Sequence, residues 1–285
     1  MTRNRIARRA LAGLAALAAA GPALAQEDAA APEMRDDRNS LTIGLGGAML
    51  PSYEGSDNYQ LTPIGLAFGK VGGIGFRTRG TNLAIDLIPE SQDAPYSIEL
   101  GPLVHVRLDR TGGIKDPQVR ALGEIDTAIE VGAVAGIAKN GVLHQYDSLG
   151  VRLQYQKDVS DTHDSWLMSP TIEYGTPLST RTYVQLGLSA ERVGDGYART
   201  YFSITPGGAL ASGLPAYTAE GGWKSWRATL FLGQSITGDL RRPKLSAFAG
   251  AGYGRLLGDF KRSPIVATAG SPGQYFALAG LAYSF

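Results

Sequence analysis

Two stretches of strict two-residue alternation constrain this chain more than any other feature. From Tyr96, the residues Tyr96, Ile98, Leu100, Pro102, Val104, Val106 and Leu108 share one face, and Ser97, Glu99, Gly101, His105, Arg107 and Asp109 take the other. From Ile125, the set Ile125, Thr127, Ile129, Val131, Ala133, Ala135 and Ile137 alternates with Glu124, Asp126, Ala128, Glu130, Gly132 and Gly136. A period of two is the signature of a strand. At ~3.3 Å per residue, tilted ~35–45°, runs of this length cross a hydrocarbon band of ~25 Å. Strands in soluble sheets are usually only ~5–6 residues long.

The same pattern recurs near 41–50, 59–69, 71–79, 81–88, 95–109, 123–138, 142–157, 165–176, 180–193, 222–235, 244–256 and 273–285. Connections after odd-numbered segments are mostly long, at 51–58, 110–122, 158–164, 194–221 and 257–272. Those after even-numbered segments include short ones such as Lys139-Asn140-Gly141, a tight-hairpin signal. In lipid every backbone N–H and C=O must find a partner within the protein, which a sheet achieves only by closing on itself. The expected fold is therefore all-β: a transmembrane antiparallel up-and-down β-barrel of about twelve strands, ten or fourteen if the register slips by one hairpin. Long loops on one rim and short turns on the other place the termini in the periplasm.

The polar phase should line the lumen, with Glu99, Arg107, Asp109, Glu124, Asp126 and Glu130 as lumen charges and Arg107 paired to Glu124 or Asp126 across the hairpin. Aromatic residues such as Tyr96, Tyr155, Trp166, Tyr174, Trp223, Trp226 and Tyr253 fall near strand ends, as interfacial girdles do. The chain ends in alternating apolar residues with Tyr283 and Phe285, which resembles the C-terminal barrel signal of outer-membrane proteins.

Residues 1–25 read as a secretory signal: Arg3, Arg5, Arg8 and Arg9, then an apolar run, then Ala23-Leu24-Ala25. The apolar run is too short for the ~20 residues of a spanning helix. The acidic, Ala- and Pro-rich stretch 26–40 is expected to be a disordered periplasmic lead-in, and 41–285 the barrel. Without the leader's four arginines, 23 basic residues face 26 acidic ones, a net charge of −3, which is no footprint for nucleic acid.

The sequence points to no enzyme and no cofactor or metal. There is no cysteine, which removes thiolate and zinc–thiolate chemistry. A hydrolase in the barrel wall needs its His and Ser on the lipid-facing side, whereas His105 lies on the polar face of its strand, His144 near a short turn and His163 in the 158–164 loop, so all three read as exposed or lumenal polar residues. Asp161, His163 and Asp164, or Glu54 and Asp57, match no dedicated cation spacing. The runs Gly44-Leu45-Gly46-Gly47 and Gly72-Gly73-Ile74-Gly75 lack the Lys and helix of a phosphate loop.

Three loop motifs carry a family resemblance. The run Pro51-Ser52-Tyr53-Glu54-Gly55-Ser56 is one. The second is Tyr201-Phe202 with Ser212-Gly213-Leu214 and Tyr217. The third is Arg255-Leu256 with Ser263-Pro264. Together with the Tyr283-Ser284-Phe285 end they resemble the MipA/OmpV family over about residues 41–285. That resemblance implies a non-enzymatic protein of the cell outer membrane, in contact with its lipid and lipopolysaccharide. It implies a scaffold linking that membrane to peptidoglycan synthesis and remodelling, with a murein lytic transglycosylase and a bifunctional penicillin-binding protein as partners. The alternative is a narrow, gated pore for small solutes. In either case the 194–221 loop is expected to cap the extracellular mouth, anchored by Tyr201, Phe202 and Tyr217.

Overall fold

A computed structural model of the chain describes residues 39–89 and 94–285. The leader over 1–25 and nearly all of the 26–40 lead-in lie outside the described residues. Ser40, assigned to the lead-in, already opens the first strand. Twelve strands follow: β1 (Ser40–Pro51), β2 (Tyr59–Val71), β3 (Ile74–Arg79), β4 (Asn82–Asp86), β5 (Tyr96–Arg107), β6 (Ala128–Asn140), β7 (Ser148–Asp158), β8 (Trp166–Pro177), β9 (Thr182–Val193), β10 (Gly222–Ser235), β11 (Leu245–Leu256) and β12 (Gly273–Ser284). Each pairs antiparallel with its sequence neighbours. β1 pairs with β12, from Thr42 opposite Ser284 to Met49 opposite Ala277, and so closes the barrel.

Alternation located every strand, and two boundaries differ by five residues or more. β6 starts at Ala128 rather than 123, because Ile125 has left the ladder to donate its N–H to the Arg110 carbonyl. β7 starts at Ser148 rather than 142, because the Asp147 carboxylate accepts the N–H groups of Val142, Leu143 and His144 and winds that stretch into a turn.

The outer face is apolar from rim to rim. Leu45, Leu61, Ile98, Val151, Leu186, Leu230 and Leu281 all stand exposed on it, Leu61 by 75%. In water such a belt would forgo ~25 cal/mol for every Å² left unburied, so its solvent is hydrocarbon. Aromatics mark both edges of the belt. Tyr155 stacks on Trp166 at 6.2 Å, and Tyr253 touches both Trp226 at 5.5 Å and Tyr275 at 4.9 Å near the long loops. Tyr283 and Phe285 pair at 4.9 Å near the short turns. The eight steps along β12 from Tyr275 to Tyr283 span about 20 Å of height at ~3.3 Å each and a ~40° tilt, close to the apolar band of such barrels.

The interior is not uniformly charged. One side, from β1, β2 and β10 to β12, is apolar: Ala48, Leu50, Ile64, Phe231, Phe248, Phe276 and Leu278 form a buried cluster, with the Phe231 and Phe248 rings stacked at 6.3 Å. The ring of Phe248 lies where a side chain at Gly280 would stand, which is why that strand position is glycine. The other side is polar and cross-braced. Arg79 of β3 reaches Glu173 of β8 at 3.1 Å, Arg152 of β7 meets the same carboxylate at 2.6 Å, and Arg77 pairs with Glu99.

Five short helices interrupt the long connections: α1 (Pro117–Arg120), α2 (Asp195–Phe202), α3 (Pro206–Ser212), α4 (Gly258–Arg262) and α5 (Pro264–Ala267). All follow odd-numbered strands and therefore lie at one mouth. The short turns at the other mouth carry none among the described residues.

Candidate functional site: a sealed mouth over a buried ion network

The loops at the helical mouth pack into a cap with a core of its own. α2 is amphipathic and turns Tyr197, Ala198, Tyr201 and Phe202 inward, where they meet Leu167, Val193, Leu256, Phe260 and Val266 from the barrel rim and from α4 and α5. A second cluster joins Tyr53, Ile114, Val119, Ile204, Leu214, Ile265 and Ala269. Phe202 packs edge-on against Phe260 at 5.1 Å.

The signature residues of the three loop motifs are the residues that hold this cap together. Tyr53 donates its hydroxyl to the carbonyls of Ile265 and Ala269. Ser263 donates to the Phe202 carbonyl at 2.6 Å, and Tyr217 to that of Asp259 at 3.0 Å. Pro51 ends β1, and Ser56 is buried against Ser52 at 3.0 Å. Gly55 has φ 95°, and a side chain there would drive into Val266. Gly213, at φ 73°, ends α3, where the Ser212 hydroxyl caps Gly208 O and accepts the N–H of buried Leu214. Pro264 opens α5.

Beneath the cap lies a network of buried charge. Glu130 of β6, fully buried, accepts from Arg107 Nε at 2.7 Å and Nη2 at 3.2 Å, and from Gln156 Nε2 at 2.6 Å. It also contacts His105 Nδ1 at 2.8 Å and His163 Nε2 at 3.0 Å. His105 and Glu130 face each other directly in the β5–β6 register. The second half centres on Lys224. A register shift between Trp223 and Ser225 inserts Lys224 as an extra residue in β10 and turns it inward. There it pairs with Glu54 at 2.5 Å and with Glu191.

Tyr197 of α2 joins the two halves. Its hydroxyl donates to Glu54 Oε2 at 2.7 Å and accepts from Lys224 Nζ at 3.1 Å and Arg107 Nη1 at 3.3 Å. Arg107 and Lys224 also lie 5.0 and 4.8 Å from its ring centre. Asp109 accepts the Glu54 N–H at 2.9 Å. Burial and the neighbouring Glu54 push its carboxyl up to about 6. Burial also raises the Tyr197 phenol well above its ordinary range, so it acts as a neutral hydrogen-bonding hub.

Of the expected lumen charges, Arg107, Asp109 and Glu130 meet in this network, and Glu99 faces Arg77 lower down. Glu124 and Asp126 do not enter the lumen. They sit exposed in the segment before β6, and the expected pairing of Arg107 with either is overturned in favour of Glu130. The reason is register: Arg107 lies opposite Ala128, the first residue of β6, so Glu130 is the carboxylate next along the inner face. His163, read as a polar loop residue, is buried instead, its ring 5.4 Å from Tyr197 and 5.9 Å from Tyr201. Lys224, Gln156 and Tyr197 were not singled out from sequence, whereas Glu191 is legible there as a charge on the polar phase of its strand. Among the described residues no group of three or more His, Asp or Glu is arranged to hold a metal ion.

The family described as MltA-interacting protein MipA matches residues 43–285. The chain belongs to the MipA family. The match spans every strand of the barrel and all three cap motifs. No curated protein matches the MipA-family chain. Among solved structures, it is similar to the COG4313 outer membrane channel from Pseudomonas putida F1, with 12% identity, 92% of this chain and 100% of that one covered and a TM-score of 0.46. It is also similar to the NanC porin, with 10% identity, coverage of 85% and 98% and a TM-score of 0.44. A third is an anion-selective porin from Comamonas acidovorans, with 12% identity, coverage of 85% and 74% and a TM-score of 0.37. Likeness this distant carries no information about cargo or partners. Family membership and the lipid-facing belt make the protein an outer-membrane β-barrel.

Proposed function

We propose that this MipA-family barrel is a non-enzymatic scaffold, closed at its extracellular mouth, that presents its short-turn rim to peptidoglycan-remodelling enzymes, with a murein lytic transglycosylase as the first partner. The observation that carries the reading is the packed cap over the mouth. Tyr53, Tyr197, Phe202 and Phe260 are buried to 1% exposure or less across it, and Glu54, Lys224, Glu191, Arg107 and Glu130 tie the cap to four strands below. A barrel built for solute flux would leave that axis wet. The family description supports the partner, since it names interaction with MltA. The non-enzymatic reading is supported by the network's chemistry, because both of its histidines are held by one carboxylate that Arg107 already neutralises.

The chain has no cysteine, so single cysteines can be placed at exposed Leu143 or Tyr146 on a short turn (Leu143→Cys, Tyr146→Cys). In intact envelopes, a thiol-directed photocrosslinker should join them to a murein transglycosylase. The scaffold reading fails if these positions capture no peptidoglycan enzyme while the same preparation conducts ions steadily. That outcome favours the alternative, a narrow pore for small solutes with a cap that lifts.

A further inference from the structure

The turns β8–β9 and β10–β11 form a single basic platform on the short-turn rim. Leu240 donates its N–H to Thr180 O at 2.8 Å, and Ser235 donates to Arg181 O at 2.8 Å, so the two turns are bonded to each other. Each is also internally fixed. Ser179 Oγ accepts from the N–H groups of Arg181 and Thr182, and Asp239 Oδ1 accepts those of Arg241 and Arg242 at 2.9 and 3.0 Å. Arg181, Arg241, Arg242 and Lys244 are all exposed, and none of their side chains makes a hydrogen bond or ion pair with another described residue. Asp239 is the only carboxylate on these turns, and it is occupied by backbone donors. Four cations carried on two bonded turns, with no counter-ion among the described residues, attract an anion to that part of the rim.

The position of the platform selects the anion. Leu178 and Ile236, on the same two turns, stand 65% and 45% exposed and mark the edge of the hydrocarbon. Lys244 accepts the Ser284 N–H on its carbonyl and so sits beside the Tyr283–Phe285 girdle. An apolar shelf, an aromatic girdle and guanidinium groups one step beyond them match the acyl edge, the interface and the phosphate layer of a lipid leaflet. We propose that Arg181, Arg241, Arg242 and Lys244 form a docking site for anionic phospholipid headgroups of the periplasmic leaflet. The site needs only the barrel's placement in the membrane and stands independently of the scaffold reading.

The test is native mass spectrometry of the folded full-length mature barrel in neutral detergent, titrated with phosphatidylglycerol or phosphatidylcholine. The variant combines Arg181→Gln, Arg241→Gln, Arg242→Gln and Lys244→Gln, and the heat-modifiable gel shift of the closed barrel confirms that it has folded. The wild type should retain phosphatidylglycerol in preference to phosphatidylcholine. Each cation near an anionic surface contributes roughly fivefold, so the variant should lose that preference by at least about tenfold. Equal retention by both proteins overturns the proposal. So does anionic lipid that binds only after residues 26–38 are removed, which would assign the platform to the chain's own acidic segment. Capture of an acidic periplasmic protein with no lipid adduct overturns it as well.

Discussion

Lys224 is the residue on which the seal depends most, and Lys224→Met tests that directly. Its ammonium is buried between Glu54 and Glu191, which are themselves 5% and 7% exposed, and it touches the Tyr197 hydroxyl at 3.1 Å. Methionine preserves most of the volume but removes the ammonium that Glu54 and Glu191 share. Breaking one partner out of a buried ion network costs about 3–5 kcal/mol. Glu54 and Tyr197 both belong to the cap, so the penalty falls on cap closure and not on the strand ladder. At ~1.4 kcal/mol per factor of ten, the population with the cap open should rise between about a hundredfold and a few thousandfold. Hydrogen exchange of peptides from 195–219, followed in micelles, should show that gain while strand amides of β5 to β7 stay protected. Adding Glu54→Gln and Glu191→Gln to Lys224→Met neutralises the two carboxylates that lost the shared ammonium and should restore most of the protection. The reasoning is refuted if the single variant exchanges like wild type, or if the triple variant is as loose as the single one.

Asp109 gives a pH prediction. Its carboxyl sits at about 6 in the closed cap against an ordinary value near 4. A raised acid favours the closed state while protonated, so its contribution is fully present below pH ~4 and declines as pH rises toward 6. Asp109→Asn keeps an acceptor for the Glu54 N–H. It should flatten cap exchange across that window and tighten the cap at neutral pH by up to about 3 kcal/mol; an unchanged pH slope contradicts this. Gly55→Ala forces a side chain into Val266 at φ 95° and should loosen the β1–β2 loop by about 1–3 kcal/mol, read as faster proteolysis of the cap with the barrel intact. Burial raises the Asp147 carboxyl, but the N–H groups of Val142, Leu143 and His144 and the Tyr174 hydroxyl outweigh it and hold it at about 2. Asp147→Ala should therefore deprotect those three amides and leave the cap unaffected.

The wall of the barrel was legible in the sequence because lipid and lumen impose opposite demands on successive residues. β5 shows this in Ile98, Leu100 and Val104 facing out against Glu99, His105 and Arg107 facing in. The cap was legible only as motifs. α2 to α5 are four to eight residues long, too short to show helical periodicity, and they are held by contacts such as Ser263 to Phe202 that span 61 positions. The ion network was hidden for two different reasons. Glu130 gathers His105 and His163 through register and loop return, which no local pattern encodes. Lys224 points inward only because of a bulge that breaks the alternation used to assign faces. The apolar half of the lumen was missed because Phe231, Phe248 and Phe276 look like lipid-facing residues until the phase of the strand is fixed.

The central claim, a membrane barrel sealed at its extracellular mouth by a charge-anchored cap, is tested most directly by ion current through the purified wild-type protein in planar bilayers. The structure predicts no stable conductance above the bilayer's own leak from the wild type, and discrete channels once α2 and its flanks, 195–219, are replaced by a short flexible linker. Steady, porin-scale channels from the wild type would contradict the account.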